Sequence, residues 1–195
     1  MYPSEGLREP TVEDNWRGIV LYGRNVQSYK FALAKTLLEL QPAEGDLVKL
    51  VDLAPTYAKH LTEHLQNAPK QGTASSSKFL DACRDFNTDT LTQTQLVDTT
   101  VKLGFNNVID AFHRVGEADV PKRFFIDERK TLGGIRITDH FSLLAEQPQY
   151  SDLFYEAEAR WRLVETSGDS MGAEGVSRTR IRRPRSRDRI AFYIG

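Results

Sequence analysis

The stretch that decides the fold is residues 16–40, WRGIVLYGRNVQSYKFALAKTLLEL. A sharp turn over residues 23–25 leads into a segment whose apolar residues recur every three or four positions. This spacing places apolar side chains on one face of a helix. The members of this stripe are Val26, Tyr29, Leu33, Leu37 and Leu40. Asn25 suits the cap of the helix, and Pro42 with Gly45 ends it, so the stretch predicts the opening of a packed helical domain.

Helical periodicity also predicts elements on both sides of this stretch. A short helix over residues 16–22 would be capped by Asn15. A second long helix is predicted over residues 54–66, with Pro55 in its first turn, where a missing N–H costs nothing. Its apolar stripe is Leu53, Tyr57, Leu61 and Leu65. Ser75 or Ser76 would then cap the helix that follows.

Shorter apolar stripes continue the helical pattern up to a change near residue 123. These stripes comprise Phe79, Leu80, Cys83 and Phe86, then Leu96, Val97, Val101 and Leu103, then Val108, Ile109 and Phe112. Residues 123–128, RFFIDE, and 135–138, IRIT, are rich in β-formers and flank a Gly-Gly pair, which predicts a β-hairpin. A late helix is predicted over residues 149–166, with Leu153, Ala157, Trp161 and Val164 on one face.

These elements predict a mainly α fold with one small hairpin. We expect a flexible lead-in over residues 1–14, a helical domain over 15–167 and a disordered, Arg-rich tail over 168–195. The composition, 39% hydrophobic and 27% charged residues in 195, is ordinary for a globular protein. No apolar run is long enough for a membrane span or a secretion signal, and Cys83 is the single cysteine. A cytoplasmic protein with no membrane partner is therefore expected.

The net charge of −1 hides an asymmetry between the body and the C-terminal segment. Residues 178–189, RTRIRRPRSRDR, hold seven Arg and one Asp and carry +6, which leaves −7 for the remainder. A basic segment of this kind commonly binds nucleic acid or another polyanion. The candidate DNA-binding residues are Arg178, Arg180, Arg182, Arg183, Arg185 and Arg187. The alternative is a terminus without a selected role.

Arg24, Lys30 and Lys35 are a second candidate polyanion site, because cations beside a helix N-terminus favour phosphate. The alternative is that all three side chains are exposed to solvent and bind no phosphate. The sequence contains no G-x-x-x-x-G-K-[ST] or G-x-G-x-x-G motif, so a nucleotide site has no support from motifs.

His60-Leu61-Thr62-Glu63-His64 matches the H-x-x-E-H form of a zinc-protease helix. Two histidines four apart share a helix face and would hold one metal ion, although a third ligand, such as Asp98 or Glu158, would be needed. The more ordinary interpretation is a polar, solvent-facing strip. His113 and His140 are single histidines without a placed partner, and we expect structural or surface roles for both.

Six segments, in order, resemble the N-terminal region of bacterial HNH-endonuclease-type proteins. They are WRGIVLYGRNVQSYKFALAKTLLEL, LAPTYAKHLTEHL, SSKFLDACRDFN, VKLGFNNVIDAFHRV, RFFIDERKTLGGIRITD and EARWRLVET, within residues 15–167. The resemblance implies a helical region that precedes a nuclease module, in which a divalent metal and a histidine cut DNA. The cysteines and later histidine of that module are absent after Thr166.

The resemblance therefore implies a nuclease-associated region without its own catalytic residues or cofactor. Such a region would position DNA or support the nuclease module. The departure from the family at residues 167–168 suggests a truncated or frame-shifted continuation, which translation of the encoding DNA in three frames would test. The alternatives are a stand-alone helical DNA-binding or interaction module that uses the Arg-rich segment and, more remotely, a zinc hydrolase built on His60, Glu63 and His64.

Overall fold

The computed structural model describes residues 8–22, 27–68 and 77–173. The predicted mainly α fold is confirmed. The helices are α1 (Val12–Tyr22), α2 (Gln27–Leu40), α3 (Leu50–Asn67), α4 (Lys78–Asn87), α5 (Gln93–Thr99), α6 (Val108–Ala111), α7 (Arg129–Leu132), α8 (Asp139–Ala145) and α9 (Tyr150–Ala173). The strands are β1 (Leu47–Lys49), β2 (Arg114–Val115), β3 (Ala118–Asp119), β4 (Phe125–Glu128) and β5 (Gly134–Ile137).

Helix α2 is the centre of the fold and is buried on nearly all sides. The predicted stripe is confirmed at Leu33 and Leu37, each 0% exposed, whereas Leu40 is 40% exposed at the helix end. The remaining faces are buried as well, at Phe31, Ala32, Ala34 and Leu38. A helix that is buried on nearly every side needs neighbours on nearly every side. Helices α3 and α9 pack against it most extensively, and α1 and α6 contact it as well.

The predicted hairpin forms, but it belongs to a larger sheet. Strands β4 and β5 pair antiparallel, and the helical turn α7 with Gly133 at φ 72° joins them. Strand β1 adds to the other side of β5, giving the order β1-β5-β4. A second, two-stranded pair forms between β2 and β3. Neither β1 nor the β2–β3 pair was predicted, because segments of two or three residues show no measurable alternation.

The predicted cap of α1 at Asn15 is wrong, since the helix begins at Val12, four residues before the predicted first residue, Trp16. Thr11 is its cap: the Thr11 hydroxyl accepts from the Asp14 amide at 3.1 Å, and Asp14 accepts in return from the Thr11 amide at 2.9 Å. This reciprocal pair satisfies two amides that a helix end leaves free. Asn15 is instead buried inside the helix, where its side-chain amide donates to the Thr11 carbonyl.

Helix α3 begins at Leu50 instead of near residue 54, so Pro55 lies inside the helix and not in its first turn. The early start follows from β1, which runs directly into α3 without a connecting loop. The predicted apolar stripe of α3 is confirmed, with Leu53, Tyr57 and Leu61 each 0% exposed. Pro55 lies on the exposed side of the helix.

The cap of α4 is Ser77, whose hydroxyl accepts from the Leu80 amide at 3.3 Å. The predicted caps Ser75 and Ser76, the turn over residues 23–25 with Asn25, and residues 174–195 of the predicted tail lie outside the described residues. Helix α9 continues past the predicted end at Thr166 to Ala173. None of the helices in the described ranges has the length and apolar content that a membrane crossing requires.

We expect Gly134→Ala to destabilise the protein by at least about 2 kcal/mol, because it overpacks the junction of β1 and β5. A β-carbon at Gly134 would lie 2.3 Å from the Val48 carbonyl oxygen and 2.9 Å from Cα of Lys49. Urea unfolding followed by circular dichroism measures the change. Gly18→Ala is the matched control, since its β-carbon would meet only a Val115 methyl at 4.0 Å within α1. This control should be neutral or stabilising by up to about 1 kcal/mol. Equal stability of the two variants would contradict the β1–β5 register.

Candidate functional site

A charged cavity of about 750 Å³ lies where α2, α3 and α9 meet. Its walls carry three cations, four carboxylates, two histidines and two aromatic rings, and it opens to solvent on one side. The lining residues are Lys35, Glu39, Lys59, His60, Glu63, His64, Asn67, Phe154, Tyr155, Glu158, Arg162 and Glu165. This density of ionisable groups in one cavity makes it the leading candidate for a functional site.

His64 on α3 holds α9 in place. Its Nδ1 lies 2.8 Å from Oε1 of Glu165 and its Nε2 lies 3.0 Å from Oε2 of Glu158. Its ring also stacks on Trp161, with 3.5 Å between the ring centroids and 1° between the planes. This arrangement, called the α9 anchor below, consists of Lys35, His64, Glu158, Trp161 and Glu165.

Glu158 is the charge centre of the α9 anchor. Its Oε2 accepts from Lys35 Nζ at 2.5 Å, and its Oε1 accepts from Arg162 Nε at 2.6 Å. Burial alone would raise the pKa of this carboxyl, but hydrogen bonds from Lys35, Arg162 and His64 lower the pKa to about 2. Lys35, whose side chain is 6% exposed, needs this partner because an isolated buried ammonium is costly. Glu158 therefore stays ionised and joins all three helices.

His60 lies one turn before His64 and has no comparable partners. It is 3% exposed, and neither ring nitrogen makes a hydrogen bond. Its Nε2 lies 2.9 Å from Oε2 of Glu39, but the carboxylate is out of line for a hydrogen bond. Burial, then the nearby charges of Lys35 and Lys59, lowers the pKa of His60 to about 3. His60 is therefore neutral at neutral pH and keeps one nitrogen as an acceptor.

The mouth of the cavity is formed by Glu39, Lys59 and Glu63. Lys59 Nζ lies 3.9 Å from Oε1 of Glu39, and the two side chains are 58% and 39% exposed. Glu63 is exposed on α3, and its carboxylate pairs with no cation among the residues that the structure describes. A long contact between exposed charges contributes little stability, so both carboxylates keep most of their binding capacity.

The zinc hypothesis for His60, Glu63 and His64 gains no support from this geometry. The two histidines share a helix face, as the spacing predicts, but they are buried and do not form the solvent-facing strip that was the alternative. His64 is engaged with Glu158 and Glu165, and Asp98 lies on α5, outside the cavity. Over residues 8–22, 27–68 and 77–173, no three His, Cys, Asp or Glu side chains are arranged to hold a metal ion.

Lys30 and Lys35, two of the three predicted phosphate-binding cations, are buried at 1% and 5% exposure. The Lys30 ammonium donates to the Arg114 carbonyl at 2.6 Å, and burial lowers the pKa of Lys30 to about 8. Lys35 pairs with Glu158. Both serve the core of α2, so the expectation that they face a phosphate backbone is wrong. Arg24 and the candidates Arg178, Arg180, Arg182, Arg183, Arg185 and Arg187 lie outside the described residues.

The two single histidines have the structural and surface roles that the sequence predicts. His113 is 3% exposed, and its Nε2 accepts from the Phe124 amide at 3.0 Å. Burial lowers the pKa of His113 to about 3, so the ring stays neutral. His140 is partly exposed, with its Nδ1 3.0 Å from the Arg123 carbonyl oxygen. Neither ring lines the charged cavity.

No protein-family model, curated protein or solved structure matches this chain. The resemblance to HNH-endonuclease-type proteins therefore rests on the six sequence segments alone.

Sequence reasoning missed the carboxylates that pair with Lys35 and His64 inside the cavity. Glu158 was considered only as a metal ligand, and Glu165 was not considered. Two features point to them in retrospect. Lys35 interrupts the apolar run FALAKTLL, which signals a buried ammonium that needs a counter-charge. Glu158, Trp161 and Glu165 follow at helical spacing, which places two carboxylates on either side of an indole on one face.

We expect Glu158→Gln to cost about 2 kcal/mol at pH 7, because it leaves buried Lys35 without a counter-charge. The loss should shrink as the pH falls. Glu158 has a lower pKa in the folded state than in the unfolded chain, so its stabilisation is full above about pH 4.5 and disappears toward pH 2. Chemical unfolding from pH 7 to pH 2.5 measures the difference between variant and wild type.

Glu44→Gln is the control for this experiment, since it removes one exposed carboxylate outside the cavity. Its stability should follow that of the wild type within about 0.5 kcal/mol at pH 7. A stability loss for Glu158→Gln that stays constant down to pH 2.5 would show that Glu158 contributes packing and not charge.

Proposed function

We propose that this chain is the helical, DNA-associated part of an HNH-endonuclease-like protein, and that it positions DNA or supports a nuclease module without cutting DNA itself. The observation that carries the proposal is the anchoring of α9. Leu153, Ala157 and Trp161 are each at most 1% exposed, and the α9 anchor fixes the same helix to α2 and α3 by charge.

Helix α9 continues from this anchor to Ala173, five positions before the first arginine of residues 178–189. The six candidate arginines would thus be attached to a helix that cannot shift without breaking the buried pair of Lys35 and Glu158. Phosphate contacts need cations but no catalytic geometry. A helix held in this way suits the support of a bound polyanion or of a further module.

The chemistry of the cavity also supports positioning over cutting. His64 is held between two carboxylates, Glu158 accepts from three donors, and in this conformation the Glu39 carboxylate covers Nε2 of His60. A general base must be within reach of the proton that it removes. A buried ring does not meet this requirement, and neither does a carboxylate whose oxygens already accept hydrogen bonds. In this proposal the divalent metal belongs to the nuclease module.

We expect the full chain to bind double-stranded DNA through the Arg-rich segment. Replacing its six candidate arginines with Gln should raise Kd at least tenfold at 100 mM salt, because each arginine displaces counterions from DNA. Fluorescence anisotropy at 50–200 mM salt measures Kd. A plot of the logarithm of the association constant against the logarithm of the salt concentration should have a slope of about −5 for the wild type and close to zero for the variant. The replaced residues are Arg178, Arg180, Arg182, Arg183, Arg185 and Arg187.

A matched control removes six exposed cations from the helical body. These are Lys49, Lys78, Lys102, Arg114, Arg123 and Lys130, each changed to Gln. This variant should keep the wild-type salt slope to within about one unit. Loss of binding in the control alone would place the DNA interface on the body, which is the alternative form of the proposal. A wild-type chain without affinity at 50 mM salt would exclude DNA as the partner.

We expect the purified chain not to nick supercoiled plasmid with Mg²⁺, Mn²⁺ or Zn²⁺ beyond an EDTA control. Agarose-gel electrophoresis detects the relaxed product. Metal-dependent nicking would contradict the proposal, and His140→Ala would be the first variant to examine because His140 is the partly exposed histidine away from the cavity.

A further inference from the structure

The mouth of the charged cavity has unmatched negative charge. Inside the cavity, the two carboxylates of the α9 anchor are each within hydrogen-bond distance of a cation or of His64. At the mouth, Glu39 lies 3.9 Å from the Lys59 ammonium and 2.9 Å from the neutral His60 ring, and Glu63 pairs with no cation among the residues that the structure describes. Two carboxylates against one loosely placed cation leave room for a further positive charge.

Helix α2 adds to this negative potential. Glu39 lies in its last turn, beside the backbone carbonyls that the helix end leaves free, and that turn contains no basic residue. A carboxylate at the C-terminal end of a helix is unfavourable, whereas a cation there is stabilised by about 0.3–1 kcal/mol. A bound cation beside Glu39 would therefore offset the unfavourable position of this carboxylate at the helix end.

His60 provides an unused acceptor beside Glu39. Both of its ring nitrogens are buried without a hydrogen bond, and the Glu39 carboxylate covers Nε2 at 2.9 Å. An unsatisfied buried polar atom is uncommon and costs about 1–3 kcal/mol. Because Glu39 is 39% exposed, its side chain can move toward the mouth and uncover Nε2. A ligand with two or more N–H groups would satisfy both His60 and Glu39.

Aromatic rings complete the mouth. Phe154 and Tyr155 line the same cavity, and Tyr155 is 71% exposed. Aromatic faces attract cations, and the Lys35 ammonium already lies 4.8 Å from the Phe154 ring centroid. The exposed face of Tyr155 is the corresponding surface for a ligand cation.

We propose that this mouth binds the ammonium or guanidinium group of an organic amine, with Glu39 and Glu63 as counter-charges, His60 as hydrogen-bond acceptor and Tyr155 as an aromatic wall. This binding goes beyond the proposed DNA association and uses residues outside the Arg-rich segment. An anion is disfavoured, because Lys35 and Arg162 are both engaged by Glu158 and would have to leave it.

Isothermal titration calorimetry of the full chain with agmatine, which carries both cationic groups, tests the proposal. The double variant Glu39→Gln/Glu63→Gln should raise Kd at least tenfold, since it removes both counter-charges while keeping side-chain size. The matched control Glu44→Gln/Glu146→Gln removes two exposed carboxylates outside the cavity and should bind as the wild type does. Circular dichroism and Tm check that both variants are folded.

The NMR signals of the His60 ring give a readout specific to this site. Agmatine should shift them, and glutarate, an anion of similar size, should not. The proposal is overturned if agmatine does not bind at 10 mM, if the two double variants bind alike, or if glutarate binds more tightly. Zn²⁺ binding that is lost in His60→Gln, without any agmatine binding, would also overturn it in favour of a metal site.

Two sources can supply this cation, a free amine or an arginine side chain of a polypeptide. A synthetic peptide with the sequence of residues 178–189 represents the second source. A lower Kd for agmatine than for the peptide, after each Kd is corrected for the number of cationic groups in the ligand, would identify a free amine as the ligand. Tighter binding of the peptide, and tighter agmatine binding by the six-arginine variant, would identify the chain's own Arg-rich segment. DNA binding is measured separately, so failure of either proposal leaves the other intact.

Discussion

Helix α2 is buried on almost every side, and this burial requires Lys35 to find a counter-charge inside the protein. Lys35 Nζ lies 2.5 Å from Glu158 on α9, and Glu158 in turn contacts His64 on α3. Burying a charge without a partner is costly, so the pair of Lys35 and Glu158 couples the packing of the three helices. The charged pair thus specifies which face of α9 meets α2, a choice that apolar contacts alone specify less sharply.

The same constraint separates the charged cavity into two parts. Its interior is a set of compensated charges with little freedom, and its mouth is a set of exposed carboxylates near a neutral ring. Compensated groups stabilise and orient, whereas uncompensated groups remain able to bind. The proposed DNA association would therefore depend on the rigidity of α9, and the proposed amine binding would depend on the freedom of the Glu39 side chain to move.

The helices were predictable because helical periodicity is a local property. Leu53, Tyr57 and Leu61 lie four apart, and their burial followed from spacing alone. Strand β1 was not predictable, since its three residues gain their structure from β5, nearly ninety positions later. The same limit applies to the cavity: the spacing of His60 and His64 placed them on one face, but only the fold brings Glu158 and Glu165 to that face. The interpretation of Lys30 and Lys35 as exposed failed because both lie on α2, whose polar positions are enclosed too.

Strand β1 passes into α3 without a loop, and the first amide of the helix, that of Leu50, bonds to the Gly133 carbonyl at 3.0 Å. The sheet therefore sets the rotational phase of the helix. Slipping β1 by one residue against β5 would turn α3 by about 100° about its axis, and the two histidines would leave the wall that faces α9. A three-residue strand outside the cavity thus determines which side chains of α3 line it. Insertions or deletions within residues 47–50 would change the chemistry of the cavity without altering any residue that lines it.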